Sequence, residues 1–141
     1  MTTKSIVVDA NILIRAVLGV RARHLIDQYG MDITFYTPDV AFHDSADHLP
    51  PISVSRNLDL DALLDTLNQL RLIMETVPTE NLEPLRGRAL KRIGRRDPSD
   101  WPFVAAALAL DCPIWTEDQD FFGAGVATWT SDRVEIYLRG E

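Results

Sequence analysis

Short strand-like runs alternate along this chain with longer stretches of helical periodicity, and this alternation limits the possible folds more than any other feature. The strand-like runs are rich in β-branched and aromatic residues. They cover residues 5–8, 33–36, 72–77, 113–116 and 126–130. The predicted helices cover residues 10–18, 22–29, 40–49, 60–70, 82–96, 97–110 and 132–138. Strands separated by helices of this length predict an α/β fold of three layers (α/β/α), with a central, mainly parallel sheet of four to five strands.

Glycine and proline mark the expected ends of several of these elements. Gly19 and Gly30 follow the first two predicted helices, and glycine commonly terminates a helix. Pro50 and Pro51 are expected to end the third helix, because a proline inside a helix removes a backbone donor and its ring clashes with the preceding turn. Pro78 closes the third predicted strand.

Length and composition indicate a single globular domain over residues 1–141, with 46% hydrophobic and 25% charged residues. The one cysteine, Cys112, excludes a disulfide framework and a multi-cysteine zinc site. No apolar run reaches the about 20 residues of a membrane span, and the N-terminus lacks signal-peptide character, so we expect a cytoplasmic protein without a membrane partner. The formal net charge is −7, so contact with nucleic acid would need a local basic patch or bound metal ions.

Aspartates follow the predicted strands where those strands end. Asp9 comes after the first strand, Asp118 and Asp120 come after the fourth, and Asp100 lies in the first turn of a predicted helix. In open parallel sheets, ligands bind outside the carboxyl ends of the strands, at the point where the strand order reverses. Carboxylates gathered there repel one another unless a cation joins them, and Mg²⁺ and Mn²⁺ prefer such oxygen ligands. The sequence therefore predicts a metal-dependent site that handles phosphate groups.

Each aspartate also has a purely local interpretation. Asp9 can cap the helix that begins at the next residue. Asp97 fits a helix cap, with proline at the first helical position and Asp100 three residues after the cap. Asp118 and Asp120 flank a turn or short helix, where aspartate often hydrogen-bonds its own backbone. Their shared placement favours a site over these separate roles.

Three motifs together resemble the PIN-domain family, whose bacterial members include the VapC-type toxins of toxin–antitoxin pairs. They are VVDANILI at residues 7–14, DPSDWP at 97–102 followed by VAAALA at 104–109, and TEDQDFF at 116–122. The resemblance extends along the whole chain in order and length, although residues 50–96 share only the general helical character. It implies a PIN-like fold, bound Mg²⁺ or Mn²⁺, and hydrolysis of RNA phosphodiester bonds without a covalent intermediate. RNA is then the substrate, and a small antitoxin protein and a homodimer are further partners that the resemblance allows.

The resemblance also implies roles for individual residues. Asp9, Asp100 and Asp118 match the catalytic, metal-binding acids of the family, and Asp120 follows as a further metal ligand. Asn11 matches the polar residue that orients the first acid.

Two further residues support these acids. Thr116 matches the family's hydroxyl residue ahead of the fourth acid, Asp118, and Asp97, as a helix cap, supports the segment that carries the third acid, Asp100.

One position departs from the family pattern. The family usually has a glutamate five residues after the proline that follows the second strand, and counting from Pro38 this chain has His43 there. Asp44 is adjacent but about 100° around a helix, whereas Asp47 lies one turn beyond His43 on the same face. The second acid is therefore replaced, shifted or absent. Histidine in its place would favour Mn²⁺ over Mg²⁺.

A basic segment precedes the second motif. Six of the 14 basic residues fall within residues 86–96. They provide either a solvated helix face or a contact surface for the RNA backbone. The RNA-binding interpretation assigns phosphate contacts to Arg88, Lys91, Arg92 and Arg95.

Two functions follow for a chain of this kind. The first is a metal-dependent ribonuclease, as the toxin of a toxin–antitoxin pair or as a housekeeping enzyme. The second is a PIN-fold module that binds RNA or protein with a weakened or inactive nuclease site. A phosphatase is disfavoured because Asn11 stands where its second acid is needed, and a receiver domain is disfavoured because residues 114–122 contain no lysine.

Overall fold

The computed structural model describes residues 4–94 and 96–140. Five strands form its sheet: β1 (Lys4–Val8), β2 (Ile33–Pro38), β3 (Glu75–Val77), β4 (Ile114–Trp115) and β5 (Thr128–Trp129). All neighbouring strands pair in parallel, in the order β3-β2-β1-β4-β5. The predicted α/β fold with a central parallel sheet is thus confirmed.

Seven α-helices occur in the described part of the chain: α1 (Ala10–Leu18), α2 (Arg21–Tyr29), α3 (Val40–Arg56), α4 (Leu60–Ile73), α5 (Arg86–Ile93), α6 (Trp101–Leu110) and α7 (Val134–Leu138). Three 3₁₀-helices cover Thr79–Leu85, Pro98–Asp100 and Gln119–Phe121. Among these residues, no helix combines the length and the apolar character needed to span a membrane.

The strand order explains how the helices form two layers. The chain moves outward from β1 through β2 to β3, and then returns to β4 on the other side of β1. Because connections between parallel strands are right-handed, the reversal of direction places α1–α4 on one face and α5 and α6 on the other. In agreement, α1 packs with α2, α3 and α4, whereas α6 packs against β1, β2, β4 and α5. The order reverses between β1 and β4, which is where a ligand site is expected.

The core is built around β1 and α6. Ile6, Val7 and Val8 of β1 are fully buried, as expected for the middle strand of a sheet covered on both faces. In α6, every residue from Trp101 to Ala107 is buried, and its small alanine side chains allow the helix to pack closely on the sheet. The carboxyl end of β1 is therefore held rigidly.

The third helix does not end at the two prolines, contrary to the sequence prediction. Helix α3 continues through Pro50 and Pro51 to Arg56. Leu49 and Ser53 on either side of the prolines are buried, and the Ser53 hydroxyl donates to the Pro50 carbonyl at 2.7 Å. Both prolines are exposed, so solvent can bond the carbonyls that lose their helical donors. Packing of the buried face thus outweighs the local preference.

Other boundaries also differ from the prediction. Residues 72 and 73 belong to the end of α4 rather than to the third strand, because the helical spacing of buried Leu63, Leu67 and Leu70 continues past them. The basic segment is not one helix over residues 82–96, since a 3₁₀-helix precedes α5 and Gly94, with φ +69°, ends it. The last strand is only Thr128–Trp129.

Replacing Pro51 with alanine should stabilise the protein. The new N–H can bond within α3 and the ring clash disappears, a gain of up to about 3 kcal/mol that the more flexible unfolded chain partly offsets. We expect the free energy of unfolding, measured by urea denaturation, to rise by about 1–2 kcal/mol. Gln69→Ala, at an exposed position of α4, should change it little. A lower unfolding free energy for Pro51→Ala would contradict the continuous helix.

Candidate active site

Asp9 lies at the carboxyl end of β1 and is almost completely buried, with 4% of its surface exposed. Its backbone N–H donates to the Trp115 carbonyl at 3.1 Å, which joins the end of β1 to β4. One carboxylate oxygen accepts from the Ala10 N–H at 2.7 Å, so Asp9 caps α1 as the local interpretation predicted. The other oxygen accepts from the Thr116 hydroxyl at 2.6 Å. Burial raises the pKa of Asp9 to about 6; the two hydrogen bonds act to lower it and the charge of Asp118 to raise it.

Thr116 connects two segments of the site, residues 9–11 and residues 116–120. Its hydroxyl proton is donated to Asp9, so its oxygen can accept from the Asp118 N–H at 2.9 Å and from the Asn11 side-chain amide at 3.5 Å. The Asn11 side-chain oxygen in turn accepts from the Glu117 N–H at 3.4 Å. Asn11 thus contacts the segment after β4, and it supports Asp9 through Thr116.

Three further aspartates lie close together beside Asp9. One carboxylate oxygen from each of Asp100, Asp118 and Asp120 lies within 4.8 Å of those from the other two. Asp118 caps the 3₁₀-helix that follows it, because its Oδ1 accepts from the Asp120 N–H at 2.9 Å. The structure thus brings together Asp100, Asp118 and Asp120 at this edge of the sheet. Asp9 lies close enough for its charge to interact with those of Asp100 and Asp118.

Asp100 has the most perturbed environment of these carboxylates. Its Oδ2 is buried and has no hydrogen-bond partner among the described residues. Burial raises the pKa of Asp100 to about 7, and the charges of Asp9, Asp97, Asp118 and Asp120 raise it in the same direction. A buried, unpartnered carboxylate oxygen is costly, and a cation would satisfy it. An all-carboxylate donor set with one such oxygen fits a hard divalent ion such as Mg²⁺ or Mn²⁺.

Asp97 takes the capping role. Its Oδ1 accepts from the Ser99 N–H at 3.0 Å and from the Ser99 hydroxyl at 2.6 Å, which starts the 3₁₀-helix that leads to Asp100. Asp97 is exposed, and its charge contributes to the raised pKa of Asp100. It therefore fixes the backbone ahead of Asp100.

His43 and Asp47 lie away from this cluster. Their side chains are 81% and 68% exposed and form a contact of 3.7 Å on the outer side of α3. Ser45 is buried and its hydroxyl donates to the Ala10 carbonyl at 3.4 Å, which identifies the side of α3 that faces the site. Residues two positions away on a helix point about 200° around its axis, so His43 and Asp47 point elsewhere. The structure does not bring these two predicted supporting residues to the acidic cluster.

The basic segment divides into two kinds of residue. Arg88 and Lys91 are exposed on α5. Arg92 instead donates to the carbonyls of Gly125 and Ala124 at 3.0 and 3.5 Å, so its predicted availability for RNA is reduced. Arg96, which the sequence did not single out as a site residue, donates to the Asp120 carbonyl at 2.9 Å. Arg95 lies outside the described residues.

The position of Asp100 predicts a pH-dependent effect of Asp100→Asn in metal-free protein. With a pKa of about 7 in the folded state and near 3.8 unfolded, Asp100 lowers stability as pH rises between these values. Solvent screening limits the effect, because Asp100 is only half-buried. We expect the variant to unfold at a temperature about 3–5 °C higher than wild type at pH 8 in chelator, from about 1 kcal/mol of relief.

This gain should be much smaller near pH 4, where Asp100 is neutral in the folded state and only about half ionised in the unfolded state. Asp65→Asn removes the same charge from an exposed position of α4 and is the control. An equal gain at pH 4 and pH 8, or destabilisation at pH 8, would contradict the environment described for Asp100.

Comparison with known proteins identifies the fold and the family. The structure is similar to that of PAE2754 from Pyrobaculum aerophilum, with a TM-score of 0.74, 12% identity, and coverage of 98% of this chain and 91% of that one. It is also similar to VapBC2 from Rickettsia felis, solved with a DNA fragment from its promoter, with a TM-score of 0.65, 11% identity and coverage of 89% and 98%. FitAB bound to the IR36 DNA fragment gives a TM-score of 0.64, 17% identity and coverage of 89% and 94%.

No curated protein sequence matches the chain. The family model for the PIN domain, however, matches residues 7–139, which include every aspartate of the acidic cluster. The resemblance found in the three sequence motifs is therefore confirmed, and this chain belongs to the PIN-domain family.

Proposed function

We propose that this protein is a metal-dependent endoribonuclease that acts at the acidic cluster. One observation carries the proposal: Asp100, Asp118 and Asp120 converge at the carboxyl edge of the parallel sheet, and a buried oxygen of Asp100 lacks a partner there. PIN-domain proteins are generally metal-dependent nucleases, and the three motifs that carry the resemblance contain these residues.

The residues of the cluster have separate tasks in this proposal. Asp100, Asp118 and Asp120 would hold Mg²⁺ or Mn²⁺, with Asp9 beside them. A bound divalent ion of this kind supplies Lewis-acid stabilisation of the phosphate and a more acidic water. Thr116 keeps one oxygen of Asp9 oriented by its hydrogen bond, and the N–H groups from which Asp9 and Asp118 accept fix both carboxylates. Asp100 must be deprotonated to act as a ligand, so metal affinity should increase as pH rises through its pKa of about 7.

Cleavage of RNA by the chelator-treated, reloaded protein tests this proposal. We expect cleavage of unstructured and structured RNA in Mg²⁺ or Mn²⁺, and a loss of about 100-fold or more in Asp118→Asn and Asp100→Asn, because each removes a charged ligand. Asp65→Asn is the matched control, since it removes an exposed aspartate of α4 that is not part of the acidic cluster. His43→Ala should retain activity, because His43 points away from the cluster.

Three outcomes have different meanings. Cleavage that survives Asp118→Asn would overturn the proposal. RNA binding without cleavage under any metal condition would favour the PIN-fold binding module instead. Loss of activity in His43→Ala, but not in His43→Glu, would show that α3 supplies the predicted second metal ligand at this position.

We also propose a small antitoxin-type protein as partner, and the structure offers a suitable surface. A groove of about 690 Å³ lies between α1, the start of α2 and the end of α3. Apolar side chains including Ile14 and Ile52 line it, and Arg15, Arg21 and Arg56 are among its residues. The same groove includes Asn11, so a segment with apolar and acidic side chains bound there would contact a residue that hydrogen-bonds Thr116 of the site. The likeness to VapC-type toxins supports a partner of this class.

Two double variants separate the RNA surface from the partner surface. Arg88→Glu with Lys91→Glu should weaken RNA binding and reduce the slope of log affinity against log salt by roughly 0.7 for each phosphate group that is no longer neutralised. Arg15→Glu with Arg56→Glu, which changes charge equally, should instead abolish complex formation with any small antitoxin-type protein that a neighbouring reading frame encodes. Size-exclusion chromatography after co-expression and fluorescence anisotropy with labelled RNA measure the two effects. If each pair affected both ligands equally, the two surfaces would not be distinct.

A further inference from the structure

We infer that Arg92 and Arg96 are positioning residues that hold the backbone of residues 118–125, the site loop, and thereby set the geometry of Asp118 and Asp120. The inference depends on the proposed function only in assuming that these aspartates bind a metal ion. The hydrogen bonds on which it is based all lie within this chain.

The site loop has little regular structure to hold it. The flanking strands β4 and β5 contain two residues each, and between them only one turn of 3₁₀-helix forms. Phe121 anchors the middle of the loop, since it is fully buried and packs edge-on against Phe103 of α6 at 6.1 Å between ring centres. The backbone carbonyls on both sides of Phe121, those of Asp120 and Phe122, also need hydrogen-bond partners.

The two arginines supply those partners. Arg96 donates through Nη1 to the carbonyl of Asp120 at 2.9 Å and also to the carbonyl of Phe122. Arg92 donates through Nη1 to the carbonyl of Gly125 at 3.0 Å and to that of Ala124 at 3.5 Å. Four carbonyls of one loop therefore bind two guanidinium groups, and hydrogen bonds with a charged donor are stronger than neutral ones.

Gly125 indicates that the loop is built to receive Arg92. It has φ +79°, which disfavours other residues, and a Cβ at this position would clash with Nη1 of Arg92. A side chain here would displace the arginine or distort the loop. Glycine therefore satisfies both the backbone conformation and the close approach.

Arg96 also joins two separate parts of the acidic cluster. It precedes Asp97, whose cap starts the short helix that ends at Asp100. The hydrogen bond from Arg96 to the Asp120 carbonyl connects two segments: the one that leads to Asp100 and the one that carries Asp118 and Asp120. Without a cation these carboxylates repel one another, so the tie opposes the separation of the two segments.

Arg92→Met and Arg96→Met test the inference in the full chain, with Arg88→Met as matched control on the exposed surface of α5. We expect Mn²⁺ affinity, measured by calorimetry, to fall about 10-fold in Arg96→Met, as for other residues that support metal ligands. Amide hydrogen exchange should become faster within residues 119–125 in both variants, while exchange in β1 stays as in wild type. Arg88→Met should change neither quantity.

Arg96→Lys provides a second measurement if Arg96→Met does not fold. Lysine keeps the charge and can donate, but it lacks the planar guanidinium group whose Nη1 bonds both carbonyls in wild type, so it should restore part of the Mn²⁺ affinity and part of the protection. Unchanged exchange and unchanged Mn²⁺ affinity in all these variants would overturn the inference, as would weaker RNA binding with both quantities intact. If wild type bound no Mn²⁺, the proposed function would fail, whereas the exchange measurement would still decide the role of the arginines.

Discussion

The hydrogen bond from Thr116 to Asp9 is the interaction on which the site depends. It crosses the point where the strand order reverses, between β1 and β4, and both residues are buried. A buried carboxylate without partners would be strongly destabilising, so the hydroxyl of Thr116 and the N–H of Ala10 make this position of Asp9 possible. Because Thr116 also accepts from the Asp118 N–H, the same hydroxyl fixes the start of the site loop. Loss of Thr116 would therefore disturb two of the four aspartates at once.

The site is arranged at a cost to the metal-free fold. Burial and like charges raise the pKa values of Asp9 and Asp100 to about 6 and 7, so the folded protein resists ionising groups that ionise readily when unfolded. A stability optimum would replace these carboxylates with neutral side chains. Their presence fits a site where a bound cation compensates the charge, since ligand binding to the folded state restores stability. Strain of this kind is typical of functional sites.

The sequence was most informative where local pattern and sheet geometry coincide. The strand at residues 5–8 and the aspartates after β1 and β4 could be placed because parallel strands end at one edge. The continuation of α3 through Pro50 could not, because it depends on burial of Leu49 and Ser53 against other elements. The side of α3 on which His43 lies could not be predicted either, because it depends on the same packing against other elements. The guanidinium contacts of Arg96 join residues 24 and 26 positions apart, and no periodicity of the basic segment encodes them.

The acidic cluster is drawn from three segments, residues 9–11, 97–100 and 116–120, which are distant in the chain. At least two contacts between segments are needed to hold three segments together. Thr116 ties the first to the third, and Arg96 ties the second to the third. Both ties end on the segment after β4, which has the least regular structure of the three. The ordering of the site therefore depends chiefly on how firmly this segment is held. The basic residues nearest to it donate to the protein's own backbone carbonyls, which reduces their availability to a substrate.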